Sequence, residues 1–208
     1  MTRDPQATYD RIADHFAATR EYPWPEIESF VADAEPAGLA LDIGCGNGRH
    51  AEVLATSAAR VVALDVSRGL LQTARRRQAA SGFDAHLVQG DAATLPIRDA
   101  TVDLAVYVAT LHHLRPRSTR VDSLDELARV LAADGRALLG VWSTTHDRFD
   151  ADEGFDTTVD WTLPGGETVP RYYHVYDPDE FDRDLAMSAL TVHERFESSG
   201  NCYAVVGP

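Results

Sequence analysis

Leu41-Asp42-Ile43-Gly44-Cys45-Gly46-Asn47-Gly48 is the stretch whose residue types and spacing could do chemistry. Glycines at these points let the backbone turn tightly and let a ligand approach where a Cβ would collide. Dinucleotide sites use Gly-x-Gly-x-x-Gly, which aims a helix N-terminus at a pyrophosphate. Here the third glycine comes one residue earlier and Arg49 takes the dinucleotide position. That spacing favours a ligand without phosphate, such as the amino-acid end of S-adenosylmethionine. Asp65, 17 residues beyond Gly48, is placed to accept from both hydroxyls of a ribose. Gly90-Asp91-Ala92 adds a second acidic position, and Leu111-His112-His113-Leu114 puts imidazoles where a strand's carboxyl end opens onto a site.

Such residues need a parallel sheet to carry them, and the chain alternates helix and strand accordingly. Helical spacing of Tyr9, Ile12, Ala13 and Phe16 predicts a helix over 6–19, followed by the link Tyr22-Pro23-Trp24-Pro25 and a short helix over 26–34. Strands are expected at 39–43, 61–65 and 85–88, with helices opening at Arg49 and after Ser67. The apolar run 102–108 reads as a strand buried on both faces. A helix over 118–131 is expected to stop at Ala133-Asp134-Gly135, ahead of a strand at 136–142. Residues 143–170 are polar and acidic with little periodicity, and read as a long loop or lid. Asp177-Pro178-Asp179-Glu180 is a capped helix start, and strands near 190–196 and 203–206 close the sheet. The expected fold is α/β, a Rossmann-like class I S-adenosylmethionine-dependent methyltransferase with a seven-stranded, mostly parallel sheet and helices on both faces. It is read as one domain over 1–208, with a helical arm at 1–35 and an insertion at 143–176 over the active site.

Composition bounds the setting. At 208 residues the chain can bury one good core. The run 102–111 is interrupted by Asp103 and too short for a bilayer, and Met1-Thr2-Arg3-Asp4-Pro5 lacks the apolar stretch of a secretion signal. Cys45 and Cys202 make no disulfide framework, so a reducing cytoplasm is expected. The eight histidines lack metal-ligand spacing, so no metal is expected. Net charge is −14, Asp outnumbers Glu 22 to 11, and all 19 basic residues are Arg. Proteins of halophilic archaea resemble this composition. In molar salt the Debye length is about 3 Å, which screens self-repulsion and removes the gain from counterion release. The acidic balance therefore leaves an RNA substrate open.

The N-terminal Tyr9-Asp10-Arg11-Ile12-Ala13-x-His15-Phe16-x-x-Thr19-Arg20-x-x-Pro23-Trp24-Pro25 resembles the opening of the tRNA wobble-uridine carboxymethyl ester methyltransferases, including the domain type fused to an AlkB-like hydroxylase. The resemblance continues through the glycine loop, Asp91-x-x-x-Leu95-Pro96, Leu111-His112-His113-Leu114, Glu126-Leu127-Ala128-Arg129-Val130-Leu131 and Val141-Trp142. It resumes at Arg171-Tyr172-Tyr173-His174-Val175-Tyr176 and near Asn201, where the family's Asn-Trp reads Asn201-Cys202-Tyr203. Basic runs that would hold tRNA are thin.

This resemblance implies S-adenosylmethionine as cofactor, bound by Tyr9, Asp42, Gly44, Gly46, Gly48, Asp65, Val66, Asp91, Ala92 and Val108, with Asp91 at the adenine amino group. It implies esterification of a carboxymethyl group on the wobble uridine of a tRNA anticodon loop. Arg20 and Arg171 are the candidates to fix the carboxylate or a phosphate. Trp24, Tyr172 and Tyr173 could stack on a base, and His15, His112, His113 and His174 could hydrogen-bond the uracil edge or the carboxylate, with Asn201 also against substrate. Plainer readings stand beside these: Tyr9 and Phe16 as core or cofactor lid, Trp24 as a pin for the arm, Arg75-Arg76-Arg77 as a solvated helix face, and one of His112 and His113 packed beneath the other. The family also implies a small zinc-finger-like activator, forming a heterodimer along an edge strand at 85–88. A small-molecule methyltransferase acting on a quinone or metabolite would carry the same cofactor motifs, and a scaffold without turnover is a third reading.

Overall fold

The computed structural model describes residues 4–208; the opening Met1-Thr2-Arg3, read above for a leader, lies outside the described residues. Asp4 opens α1 (Pro5–Ala18), its Oδ1 accepting from the Gln6 N–H at 3.1 Å ahead of a first-turn proline. There follow α2 (Pro25–Ala32), β1 (Ala40–Ile43), α3 (Arg49–Leu54), β2 (Val61–Asp65), α4 (Arg68–Ser81) and β3 (His86–Gln89). Next come β4 (Val102–Val108), a 3-10 turn at Leu111–His113, α5 (Arg117–Val130) and β5 (Leu131–Trp142). The chain finishes with β6 (Phe155–Thr162), β7 (Thr168–Val175), α6 (Pro178–Met187), β8 (Thr191–Ser198) and β9 (Asn201–Gly207).

The expected seven-stranded sheet is present, in the order β3-β2-β1-β4-β5-β9-β8. Pairing is parallel for β1 with β2, β2 with β3 and β4 with β5, while β9 runs antiparallel to both β5 and β8. Ile43 sits beside Leu64, and Asp65 beside Gln89, so β1, β2 and β3 finish level with one another. That register brings the glycine loop, Asp65 and the start of Gly90-Asp91 to one end of the sheet. β3 is an edge strand, as expected; β8 is the other.

Two expectations are corrected. Residues 143–170 are not a long loop: β6 and β7 form a two-stranded sheet of their own. Phe155, Thr157, Val159, Trp161 and Leu163 alternate with polar residues up to Pro164-Gly165-Gly166, the period of a half-buried strand ending in a turn. Ala133-Asp134-Gly135 is not a helix stop either. α5 ends at Val130 and Leu131 pairs directly with Val102, after which the register shifts. The glycine is needed because a Cβ at 135 would lie 2.6 Å from the Val102 carbonyl oxygen.

The fold divides into two compact units, Met1–Asp91 with Thr158–Tyr172, and Ala92–Thr157 with Tyr173–Pro208. In the first, α1 lies against α4 closely enough that a Cβ on Gly69 would meet the Ala13 Cβ at 3.0 Å. Asp10 fastens them: its Oδ1 accepts from the Ser67 hydroxyl at 2.7 Å and from the Gly69 N–H at 2.8 Å. Ile12 of α1 is buried with Trp161 and Val169 of the β6–β7 hairpin, and Tyr9, Phe16 and Leu163 pack around them. An Arg11–Glu167 ion pair spans the same two elements. In the second unit, α5 and α6 meet through buried Arg120, which lies 3.4 Å from Glu180 and 5.2 Å from the Tyr176 ring. No helix among the described residues is long and apolar enough to cross a membrane.

Asp10 supplies an N-terminal acceptor to α4 from another helix, so Asp10→Ala is expected to destabilise the chain by about 1–2 kcal/mol. Urea unfolding should show the loss as a lower midpoint with an unchanged slope, and Asp10→Asn should recover part of it.

Candidate active site

β1 runs directly into the glycine loop. The N–H groups of Gly44 and Cys45 both donate to the Leu64 carbonyl, at 2.8 and 2.9 Å, which folds the chain back over the end of β2. Gly44, Gly46 and Gly48 have φ of +75°, +55° and +80°, where an L side chain is strained. The Asp65 carboxylate completes the turn: Oδ2 accepts from the Gly46 N–H and Oδ1 from the Ser67 N–H, each at 2.8 Å. Asp42 is buried beside it, and its Oδ2 has no hydrogen-bond partner among the described residues.

Burial and the neighbouring Asp65 charge push Asp42 up to about 7. Burial pushes Asp65 up to about 6, against the opposing pull of backbone N–H donors at Ser67, Gly46 and Val66. Two desolvated carboxyl groups beside a left-handed glycine turn make a cradle suited to a small ligand carrying positive charge. Asp91 is exposed just beyond Gly90, whose N–H donates to the Asp65 carbonyl at 3.1 Å. Val66 is half-buried; Ala92 and Val108 are buried in the second unit.

The N-terminal arm closes over this loop. A Cβ on Gly46 would sit 3.7 Å from the Phe16 ring, and the buried Asn47 amide donates to the Arg20 carbonyl at 2.7 Å. Tyr9 meets Phe16 edge-on at 5.7 Å. Phe16 in turn contacts Trp161, at 5.5 Å between ring centres. Around that indole gather the arm and hairpin residues expected to handle substrate. The Arg171 guanidinium lies 4.8 Å from the ring centre, Arg20 lies 5.4 Å from it and 5.4 Å from Phe16, and His15 Nδ1 accepts from the indole N–H at 3.0 Å. Trp24 is held instead by Arg49, 5.5 Å over its ring, and by His50 edge-on at 6.3 Å. Arg49 also donates to the Tyr22 carbonyl at 3.1 Å, so this corner pins the arm.

The second unit holds the histidine pair. His112 is buried, its Nδ1 accepting from the Trp142 N–H at 3.2 Å, whereas His113 is half-exposed. Both rings contact Tyr173, at 4.9 and 4.4 Å.

Three expectations for this unit need correction. Tyr173 is 4% exposed and stacked on Trp142 at 4.4 Å, so that face is taken and cannot stack a base. His174 is buried with both ring nitrogens engaged, Nδ1 by Asp156 at 2.8 Å and Nε2 by Glu180 at 2.9 Å, leaving neither for substrate. The Asn201 amide donates to the Ser198 and Ser199 carbonyls at 3.3 and 3.1 Å, which makes it a clamp for the β8–β9 turn. Tyr172 is half-buried.

Sequence reading missed Trp161, Asp10 and Asn47. The first was visible as part of the 155–163 alternation, the second only as a residue inside the arm motif, and the third as the polar member of the glycine loop. Among the described residues no group of His, Cys, Asp and Glu could hold a metal ion.

The methyltransferase-domain family matches residues 41–139. A putative methyltransferase of Encephalitozoon cuniculi is 35% identical over 175 residues, which cover 81% of this chain and 78% of that protein. This chain belongs to the methyltransferases. It is also 36% identical over 135 residues to the tRNA (carboxymethyluridine(34)-5-O)-methyltransferase ALKBH8 of Mus musculus. That match covers 65% of this chain but 19% of the mouse protein, so the chain spans about a fifth of that relative's length. Among solved structures, the CcbJ methyltransferase from Streptomyces caelestis superposes with a TM-score of 0.77 at 21% identity, covering 99% of each chain, and shares the fold.

In this methyltransferase the folded state holds protons on Asp42 and Asp65 to about pH 7 and 6, while the unfolded chain releases them near 3.8. The fold therefore binds more protons in that window, and stability falls as pH rises from about 4 to about 7, then levels off. Asp42→Asn should remove most of this loss. Thermal unfolding of the ligand-free protein is expected to show the variant more stable than the native chain at pH 8, by an amount on the order of a few kcal/mol, and nearly equal at pH 4.5. Equal stabilities at pH 8 would contradict the assignment.

Proposed function

We propose that this methyltransferase uses S-adenosylmethionine to esterify the carboxylate of 5-carboxymethyluridine at the wobble position of a tRNA anticodon. The observation that carries the reading is the pair of guanidinium groups, Arg20 and Arg171, gathered on Trp161 and joined through Phe16 to the glycine loop. Cofactor and substrate anion would then be served by one compact unit. The relative named for this reaction supports the same reading.

S-Adenosylmethionine, when bound, supplies an electrophilic methyl group on sulfur and leaves as S-adenosylhomocysteine. Asp42, Gly44, Gly46 and Gly48 would hold its charged amino-acid end, Asp65 its ribose hydroxyls and Asp91 its adenine amino group. Tyr9 and Val66 of the same unit would pack against it. The unpartnered Oδ2 of Asp42 fits a cationic group well. The substrate carboxylate is already anionic, so no strong base is needed; the protein has only to orient one oxygen and exclude water. Arg20 and Arg171 can grip it in the forked geometry that lysine lacks. Tyr172, half-buried beside Arg171 in the sequence, then serves as a further substrate contact.

The wider setting follows the same reading. The β3 edge accepts a small zinc-finger-like activator by strand addition, giving a heterodimer in the cytoplasm. The lysine-free acidic surface is an adaptation to high salt, of a halophilic archaeal kind.

The test is incubation of the protein, with and without such an activator, with methyl-labelled cofactor and tRNA carrying 5-carboxymethyluridine. Label is expected in the wobble nucleoside, with Arg171→Lys lowering kcat/KM by about tenfold or more. Label in a quinone or small metabolite, with none in tRNA, would replace the reading by the small-molecule one.

A further inference from the structure

We propose that Trp161 is the positioning residue of a donor-only carboxylate site built from His15, Arg20 and Arg171; this rests on the carboxylate reading above. An indole N–H can only donate, and that of Trp161 lies 3.0 Å from His15 Nδ1. The bond forms only if Nδ1 carries a lone pair. With Nδ1 accepting, the ring proton of His15 sits on Nε2. Among the described residues His15 makes no other hydrogen bond, so its Nε2–H is left to donate elsewhere. The same indole, 9% exposed, orients the Arg171 and Arg20 guanidinium groups at 4.8 and 5.4 Å. One buried ring thus sets the direction of three donors.

None of the three carries an acceptor. A carboxylate presents acceptors at both oxygens and satisfies them. A carboxamide turns an NH2 donor towards donors, and an ester has lost the charge and one strong acceptor. Sites built from hydrogen-bonding groups reject ligands that leave those groups unmatched far more strongly than apolar pockets do. The site should therefore choose the acid over its amide, and release the methyl ester once formed. Trp161 acts on this choice through His15 rather than by touching the ligand.

The test uses imidazole 15N spectra of the full chain at about pH 9, with His15 assigned by difference against His15→Phe. The native protein should carry the His15 proton on Nε2 alone. Trp161→Phe keeps a ring under the guanidinium groups but loses the indole N–H, and should show both tautomers. A native His15 protonated on Nδ1, or a tautomer unchanged in Trp161→Phe, overturns the proposal. Acetate and acetamide then probe the site without any nucleoside. Acetate should shift the His15 Nε2 signal saturably and acetamide should not, and Trp161→Phe should weaken acetate binding about twofold, the share of His15 left in the competent tautomer when both are populated. Equal responses to the two probes, or none to acetate, also overturn it. If acetate binds as described but 5-carboxymethyluridine leaves His15 unmoved, the donor site stands and the wobble-uridine reading falls.

Discussion

Asp65 carries two turns at once. One carboxylate oxygen takes the Gly46 N–H and the other the Ser67 N–H, so the loop after β1 and the entry to α4 are fixed by a single side chain. Ser67 passes the constraint on: it caps α4 by accepting from the Leu70 N–H at 3.1 Å and donates to Asp10 on α1. The placement of the N-terminal arm thus depends on a carboxylate at the end of β2. Burying it beside Asp42 costs stability, since neither charge has a cation against it to compensate fully and desolvation is the largest influence on both. Backbone donors relieve Asp65 more than Asp42. A fold that keeps such a pair at the mouth of a glycine turn has spent stability on a ligand site, the usual place for strongly shifted carboxyl groups.

The arm then does more than cover the loop. Asn47 reaches from the glycine loop to a carbonyl in the last turn of α1 and to one just beyond the helix, at 3.4 Å for Ala17 and 2.7 Å for Arg20, so the loop itself holds the point where the chain leaves the helix. Phe16 fills the space that glycine leaves open at 46 and rests on Trp161 from the hairpin. Loop, helix end and hairpin share one apolar junction. The glycine turn and the arm that carries Arg20 are thus joined both by packing and by the Asn47 hydrogen bonds.

The framework was legible in the sequence wherever a local signal decides the structure. β2 and β4 fall at the residues their apolar runs mark, and Ser67 and Asp177 cap helices as their side chains predict, Asp177 accepting from the Glu180 N–H at 2.8 Å. The glycine loop lies where its spacing put it. The failures are of a different kind. The β6–β7 hairpin carries a two-residue alternation, but the polar, acidic stretch that leads into it masked it, and it packs on α1, an element far away along the chain. Gly135 looks like a helix terminator and instead serves a close approach to Val102. His174 and Asn201 have the residue types of substrate contacts; only the folded chain brings Asp156 and Glu180 to one and a turn's carbonyls to the other. Side-chain roles set by partners distant in sequence leave no trace in local spacing.

The charge balance gives the Trp161 cluster its meaning. With 33 acidic residues to 19 arginines, a carboxylate is the ordinary partner for a guanidinium in this chain. Arg11, Arg76, Arg77, Arg117, Arg129 and Arg195 all have one. Arg20 does not, among the described residues; it bonds the Thr19 carbonyl at 3.0 Å and lies over two aromatic rings. A carboxylate orients a guanidinium by cancelling its charge, and an anionic ligand then meets a neutral pair. An aromatic face orients the same group through its quadrupole, at about 0.5–2 kcal/mol, and leaves the positive charge in place. Arg171 lies over the same indole. In a protein of net charge −14, which repels anions at long range, packing Arg20 on Phe16 and Trp161 preserves a local field that an anionic substrate can still find at short range.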